Sequence, residues 1–165
     1  MNDILVKVFR MEPEAIVPQY HTDGSAGFDF HALYDVRVFP ASIEPVPTGL
    51  ILEIPQGFEL QIRPRSGLGK KYPNYITNSP GTIDSDYRGE IIVYVRNPSN
   101  KWWEIKQGDR IAQGIIAPVS QAEFKIVAMR SHLSPTKRGA KGFGSTGGST
   151  DSDSKEVKQL IHAGR

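Results

Sequence analysis

Two carboxylates in the middle of the chain are the residues best suited by type to activate water. Asp84 and Asp86 lie two residues apart within residues 78–90, so in an extended backbone both side chains point the same way. A carboxylate beside a substrate can orient a water molecule and remove its proton. The alternative is two aspartates in a solvated turn, where Asp is favoured for local reasons. This pair alone leaves both interpretations open.

The residues before these carboxylates predict a tight turn from Asn78 to Gly81. Pro80 fixes its own φ, and Gly81 tolerates the positive φ that would follow. The tip of such a hairpin exposes backbone N–H and C=O groups, and the Asn78 amide adds a donor and an acceptor. Together these groups could pair with the donor–acceptor edge of a planar base.

A basic, glycine-containing segment at residues 63–71 is a second candidate site. Arg65, Ser66 and Gly67 stand where the sequence predicts a single helical turn, with Ser66 as its cap. Guanidinium groups pair well with phosphate oxygens, and the N–H groups at a helix start point at whatever lies in front of them. The alternative is a basic turn on the surface.

A glycine turn at Gly108 predicts the start of a strand that carries two further polar candidates. In a regular strand Arg110 and Gln113 fall on opposite faces, so they need not share a role. A plain hairpin start is the alternative interpretation.

Residues 138–147 are rich in glycine and could fold over a nucleotide. Phe143 could stack on a base while Arg138, Ser145 and Thr146 hold a terminal phosphate. The G-x-G-x-x-G pattern in this segment fails as a dinucleotide fingerprint, because no strand precedes it and no βαβ unit follows. A disordered linker is the alternative.

Composition excludes several classes of function. The 165 residues carry 20 basic and 18 acidic side chains, and a net charge of +2 is too small to indicate a nucleic-acid binder. The absence of cysteine excludes disulfides, thiolate nucleophiles and cysteine-bound zinc, and the four histidines show no ligand spacing. With neither a secretory signal nor a membrane-spanning run, we expect a cytoplasmic protein with no membrane partner.

Short alternating segments, punctuated by 12 prolines and 16 glycines, predict an all-β chain. This pattern is typical of a β-sandwich or jelly roll, and we expect residues 1–133 to form this domain. Residues 134–165 shift to Gly, Ser, Thr, Lys and Asp, so we expect a mobile C-terminal arm. The predicted strands cover residues 4–9, 25–32, 36–39, 48–54, 58–62, 91–96, 102–105, 110–116 and 124–129.

Taken together, these segments resemble the five ordered motifs of the homotrimeric dUTP pyrophosphatases (dUTPases). The motifs are AGFDFHA at 26–32, PRSGLG at 64–69, GTIDSDYRGE at 81–90, GDRIAQ at 108–113 and RGAKGFGSTG at 138–147. Each is weak alone, but five in order are specific. The resemblance implies a distorted jelly-roll subunit and a homotrimer with three composite sites. In each site, motifs one, two and four come from one subunit, motif three comes from a second, and motif five comes from the third.

The resemblance also implies roles in the Mg²⁺-assisted hydrolysis of dUTP to dUMP and pyrophosphate. Asp84 is the implied base that activates water for attack on the α-phosphate. The implied uracil-binding residues are Asn78, Gly81, Thr82 and Ile83, and Tyr87 would pack on the deoxyribose. The implied phosphate-binding residues are Arg65, Ser66, Gly67 and Gln113. The implied lid is Arg138, Phe143, Gly144, Ser145 and Thr146, and Asp29 would act on Mg²⁺ through water.

Two residues depart from the family pattern: Phe30 replaces a smaller aliphatic, and Lys141 replaces a common glycine. The implied activity keeps uracil out of DNA and supplies dUMP for thymidylate synthesis. A dCTP deaminase-type enzyme of the same superfamily needs a glutamate where this chain carries Tyr87 and Arg88. A catalytically silent dUTP-binding trimer is the other alternative, and the intact Asp84 argues against it.

Overall fold

The computed structural model describes residues 4–73 and 75–141, and the chain divides into two compact units at Gln121/Ala122. The described part of the first unit is built from ten strands and one short helix, so the all-β prediction is confirmed. The predicted boundary between residues 133 and 134 stays a prediction. No helix in the described ranges is long and apolar enough to cross a bilayer.

The strands are short, and their bounds agree with most of the predicted segments. They are β1 Lys7–Arg10, β2 Phe28–His31, β3 Val36–Val38, β4 Ile43–Pro47, β5 Leu50–Glu53, β6 Phe58–Arg63, β7 Gly81–Ile83, β8 Ile92–Arg96, β9 Trp103–Ile105 and β10 Arg110–Pro118. Helix α1 spans Ser66–Lys71, and the second unit contains a 3₁₀ helix at Arg130–His132.

A four-stranded antiparallel sheet carries the candidate residues Asp29, Gln113, Gly81, Thr82 and Ile83. Its strand order is β2-β10-β6-β7, and the pairs β1–β5, β3–β9 and β4–β8 form three smaller sheets. Gln113 of β10 lies opposite Asp29 of β2 on one side and opposite Arg63 of β6 on the other. The register therefore brings the first, second and fourth motifs to one end of the sheet.

Alternation along the strands builds the core. In β8, Val93 and Val95 are buried while Ile92, Tyr94 and Arg96 are exposed, as expected for a strand with one face on the core.

Phe30, the unusual residue of the first motif, is fully buried and packs edge-on against Phe28 with 5.6 Å between ring centroids. A Cβ at Gly114 would lie 2.5 Å from the Phe28 ring and 2.7 Å from the Phe30 ring, so this glycine provides the space for both.

Three predictions about strands were wrong. Strand β7, Gly81–Ile83, was missed, because a tight turn ending at Gly81 was predicted there. Residues 124–129 form no strand, and Phe124 and Ile126 are 92% and 97% exposed. Strand β4 was missed because Pro45 and Pro47 were interpreted as punctuation between strands. Both prolines are tolerated because β4 pairs with β8 alone, which leaves one edge of β4 without ladder hydrogen bonds in its sheet.

Candidate functional site

A β-bulge at the start of β10 changes which residues share a face. The register moves from Arg110 opposite His31 to Ala112 opposite Phe30, so Ile111 is inserted as an extra residue. Arg110 and Gln113 therefore oppose His31 and Asp29, which point to the same side of β2. The sequence analysis placed Arg110 and Gln113 on opposite faces, which is the case only in a regular strand. Because of the bulge, that prediction was wrong.

Asp29 is the centre of a cluster of basic side chains. Its Oδ1 accepts a hydrogen bond from Arg65 Nε at 2.7 Å, while its Oδ2 lies 3.1 Å from His21 Nε2 and 3.4 Å from Arg110 Nη1. The Asp29 side chain is only 10% exposed. Among the described residues, the Arg65 guanidinium bonds through Nε alone, so its two Nη groups are available to a bound anion.

Burial by itself would raise the pKa of Asp29, but hydrogen bonds from Arg65 and His21 and the positive charges of Arg65 and Arg110 outweigh it. The net effect is a pKa lowered from the usual 3.8. The carboxylate is therefore ionised at neutral pH and fixes the orientation of Arg65.

Replacing Asp29 with Asn is expected to lower the free energy of unfolding by about 2 kcal/mol near neutral pH, because charge-assisted hydrogen bonds are lost. Since the folded-state pKa is lowered, the stabilisation is present above the unfolded pKa of about 3.8 and is lost as the pH falls through the folded value. Urea denaturation of both proteins at equal protomer concentration, near pH 7 and near pH 3, measures the effect. An equal difference at both pH values would contradict this assignment.

A buried tyrosine joins the second motif to the bulge. The Tyr75 hydroxyl accepts a hydrogen bond from the Arg65 N–H at 2.8 Å and donates to the Ile111 carbonyl at 3.0 Å. Tyr75 is completely buried, and burial raises its pKa, so the hydroxyl stays protonated and can donate. Tyr75 was missed in the sequence, although a tyrosine inside an apolar strand-like segment usually needs a polar partner.

Gln113 also holds the backbone of the second motif, at Pro64, the residue before Arg65. Its amide N–H donates to the Pro64 carbonyl at 2.7 Å, and the second N–H can still donate to a ligand. A Cβ at Gly27 would lie 3.0 Å from Gln113 Oε1, which explains the small residue in the first motif. The structure thus brings together Asp29, Arg65 and Gln113, as the sequence predicted, and adds His21, Tyr75 and Arg110 to them.

Helix α1 begins one residue earlier than expected, since Ser66 was predicted to be its cap. Arg65, with φ −81° and ψ 139°, occupies the N-cap position, and Ser66 is the first helical residue. Ser66 as the cap was therefore wrong, so its hydroxyl is not needed for capping. A Cβ at Gly67 would meet nothing within 4 Å, so the space at this position is open.

The predicted turn at Asn78–Gly81 has a different geometry from the one expected. Gly81 lies in strand β7 and does not adopt a positive φ, so the predicted reason for this glycine was wrong. The Ser79–Pro80 peptide is cis. A Cβ at Gly81 would lie 3.2 Å from the Asn78 amide nitrogen. A residue larger than glycine at position 81 would therefore crowd the Asn78 amide, which packs against the first residue of β7. Thr82 and Ile83 follow in the same strand.

Asp84 and Asp86 lie in a turn, not in an extended backbone as expected. The Tyr87 N–H donates to the Asp84 carbonyl at 3.2 Å, which closes the turn. Both carboxylates are exposed and line an open groove of about 810 Å³ together with Glu53, Glu59 and Arg88. The exposure leaves Asp84 accessible to water and to a ligand.

Asp84 and the Asp29 cluster lie at different ends of strand β6. Ile83 pairs with Leu60, so the next residue, Asp84, lies near Glu59 at the start of β6. Gln113 pairs with Arg63, at the other end of that strand. Glu59 and Arg63 are four positions apart along the strand, which corresponds to about 13 Å. Within one chain, the structure therefore does not bring Asp84 together with Arg65 and Gln113.

The fifth motif is described only at its start, in the second unit. The Arg138 side chain donates from Nε to the Lys141 carbonyl at 2.9 Å, and the Lys141 N–H donates to the Arg138 carbonyl at 3.2 Å. The predicted lid residues Phe143, Gly144, Ser145 and Thr146 lie outside the described residues.

Comparison with known proteins gives consistent matches over most of the chain. The family model described as dUTPase matches residues 13–147. A deoxyuridine 5'-triphosphate nucleotidohydrolase from Nautilia profundicola is 52% identical over 142 residues, covering 86% of this chain and 98% of the relative. A Helicobacter pylori protein of the same name is 46% identical over 142 residues, covering 86% of this chain and 96% of the relative.

Two solved structures show the same fold. A Staphylococcus bacteriophage 80alpha dUTPase variant with dUpNHpp has a TM-score of 0.78 at 24% identity, covering 87% of this chain and 99% of that chain. A dUTPase variant from phage phi11 of S. aureus, described with a coordinated structural Mg(II) ion, has a TM-score of 0.70 at 21% identity. That match covers 77% of this chain and 99% of the phage chain.

Proposed function

Since the chain belongs to the dUTPase family and hydrolyses dUTP, we propose that Asp84 activates the water that attacks the α-phosphate. The subunit has the β-jelly-roll fold of that family. One observation supports this role of Asp84: it is exposed on an open groove. It also directly follows strand β7, and the Asn78 amide packs against the first residue of that strand, Gly81. Attack by water without a covalent intermediate releases dUMP and pyrophosphate. In the cell this keeps uracil out of DNA and supplies dUMP for thymidylate synthesis.

Uracil binds at the Asn78 turn, and the sugar packs on Tyr87. Asn78 offers an amide donor and acceptor beside the backbone of Gly81, Thr82 and Ile83, and such groups match the edge of uracil. Tyr87 is 43% exposed, and its hydroxyl donates to the Glu90 carbonyl at 3.2 Å, which orients the ring. A ring in this position excludes a 2′-hydroxyl by steric contact.

The phosphates bind to Arg65, Ser66, Gly67 and Gln113. Arg65 is oriented by Asp29 through its side chain and by Tyr75 through its backbone, so its guanidinium is preorganised. Ser66 and Gly67 present a hydroxyl and an open backbone beside it. Positioned donors of this kind stabilise the charge that develops during phosphoryl transfer without reorganisation.

The complete site is assembled from the three subunits of a homotrimer. The separation of about 13 Å between Asp84 and the Arg65–Gln113 region, read from the strand register, supports this arrangement. The exposed alternating side chains Phe124 and Ile126 supply apolar surface that a neighbouring copy can cover. Residues 138–147, including Arg138, Phe143, Gly144, Ser145 and Thr146, serve as the lid over the triphosphate.

Magnesium fits this chain as an ion that arrives with the phosphates. Among residues 4–73 and 75–141, no cluster of three or more His, Asp or Glu side chains is arranged to hold a metal ion. Asp29 is an ionised oxygen donor, which suits Mg²⁺, but both of its oxygens accept from basic side chains. Asp29 would therefore act on the ion through a water ligand, and the ion would neutralise phosphate charge.

Identification of the products after separate incubations with dUTP and with dCTP, each with Mg²⁺, tests the proposed function. We expect dUMP and pyrophosphate in equal amounts. Release of ammonia from dCTP instead would indicate the deaminase of the same superfamily. Binding of dUTP with no product would indicate a silent dUTP-binding protein. The cytoplasmic location remains a prediction.

A further inference from the structure

We infer that Gly89 is a positioning residue for Tyr87, and that its lack of a side chain fixes the surface that selects deoxyribose over ribose. A Cβ at Gly89 would overlap Tyr87 Oη and would lie 2.5 Å from Cζ and 3.0 Å from Cε2. Real side chains do not approach so closely, so the Tyr87 ring occupies the space that any other residue at position 89 would fill. The inference rests on the proposed role of Tyr87 in binding the sugar.

The backbone at position 89 gives no other reason for a glycine. Gly89 does not adopt the positive φ that disfavours other residues. An alanine can therefore take the same backbone conformation, and its cost comes only from contact with the Tyr87 ring.

The backbone around Tyr87 is fixed on both sides, so it cannot move to make room. Arg88 Nη1 donates to the carbonyls of Ser85 at 2.7 Å and Tyr87 at 2.8 Å, and the turn is closed by the bond between Tyr87 and Asp84. On the other side, Glu90 Oε1 accepts from the Gly49 N–H at 2.7 Å. With the chain held, the half-exposed Tyr87 ring is the part that yields.

Displacing the ring by more than about 1 Å removes the contact that excludes a 2′-hydroxyl, and a shift of this size can change reaction rates strongly. Steric pockets reject an added hydroxyl by about a hundredfold at most, so we expect Gly89→Ala to raise the UTP/dUTP ratio of kcat/KM roughly tenfold. Thermal stability should stay close to the wild-type value, because the displaced ring can move into solvent.

The experiment compares the wild type with Gly89→Ala, Tyr87→Ala, the double variant, and Gly24→Ala as the control. A Cβ at Gly24 would meet nothing within 4 Å, and Gly24 has no positive φ, so alanine there should change neither the ratio nor the Tm. Measured quantities are kcat/KM for dUTP and UTP and the Tm of each protein. Gly89→Ala and Tyr87→Ala should both raise the ratio, and Gly89→Ala should add nothing once Tyr87 is absent.

An unchanged ratio in folded Gly89→Ala, while Tyr87→Ala raises it, would overturn the inference and leave the role of Tyr87 intact. An effect of Gly89→Ala that persists undiminished without Tyr87 would also overturn it. An unchanged ratio in Tyr87→Ala would instead refute the proposed sugar contact itself. If Gly89→Ala fails to fold, recovery of folding in the double variant supports the clash, and continued failure contradicts it.

Discussion

Replacing Asp84 with Asn lowers kcat for dUTP hydrolysis by roughly 10²–10⁴, the usual contribution of a positioned general base. Asparagine keeps the size of the side chain but cannot accept the proton from water. Because Asp84 is exposed in a turn and has no part in the core, the variant should fold normally and keep its affinity for dUTP. Single-turnover kinetics together with equilibrium binding of a non-hydrolysable dUTP analogue separates the two quantities.

Asp86→Asn is the matched control, because Asp86 is exposed in the same turn and lines the same groove. This variant should turn over dUTP at nearly the wild-type rate. If Asp84→Asn is almost fully active and Asp86→Asn is not, Asp86 is the base.

Ending the chain after Lys137 abolishes most turnover, because residues 138–147 supply the proposed lid. Closure of a lid excludes water and completes the set of charged groups around the triphosphate. The truncated protein should bind dUTP more weakly by a larger factor than dUMP, since only dUTP extends to the contacts of Arg138, Ser145 and Thr146. Steady-state kinetics and calorimetric titration with both nucleotides measure these effects.

Ending the chain after Gly148 is the control for this truncation, since the residues beyond it match no motif, and it should cost little activity. Trimer mass from light scattering and the Tm should change little in either protein, because both retain Phe124 and Ile126. Full activity of the chain ending at Lys137, or its dissociation into monomers, would show that these residues are not a lid.

The strands could be predicted where a local pattern determines them. β8 alternates between Val93 and Val95 inside and Ile92 and Tyr94 outside, and this period of two is visible in the sequence. Strand β4 was missed because Pro45 and Pro47 argue against a strand unless it lies at an edge, and position in a sheet is not a local property. For residues 124–129 the pattern of alternation is present, but the described chain provides no paired strand for it.

The candidate site was predicted by residue type, but not by its contacts. Asp29, Arg65 and Gln113 were identified from their motifs, and the structure brings them together. The bulge at Ile111 depends on how β10 pairs with β2, and the hydrogen bonds of Tyr75 join residues far apart in the chain. His21 gave no signal, because a single histidine without ligand spacing is more often a surface residue.

The most direct test of the central claim is hydrolysis of dUTP in ¹⁸O-labelled water, with mass analysis of both products. Attack of water on the α-phosphate places one ¹⁸O atom in dUMP and none in pyrophosphate, and this is the result that we expect. The rate of label incorporation should fall with kcat in Asp84→Asn. Label found in pyrophosphate would place the attack on the β-phosphate, and would contradict the proposed position of the water activated by Asp84.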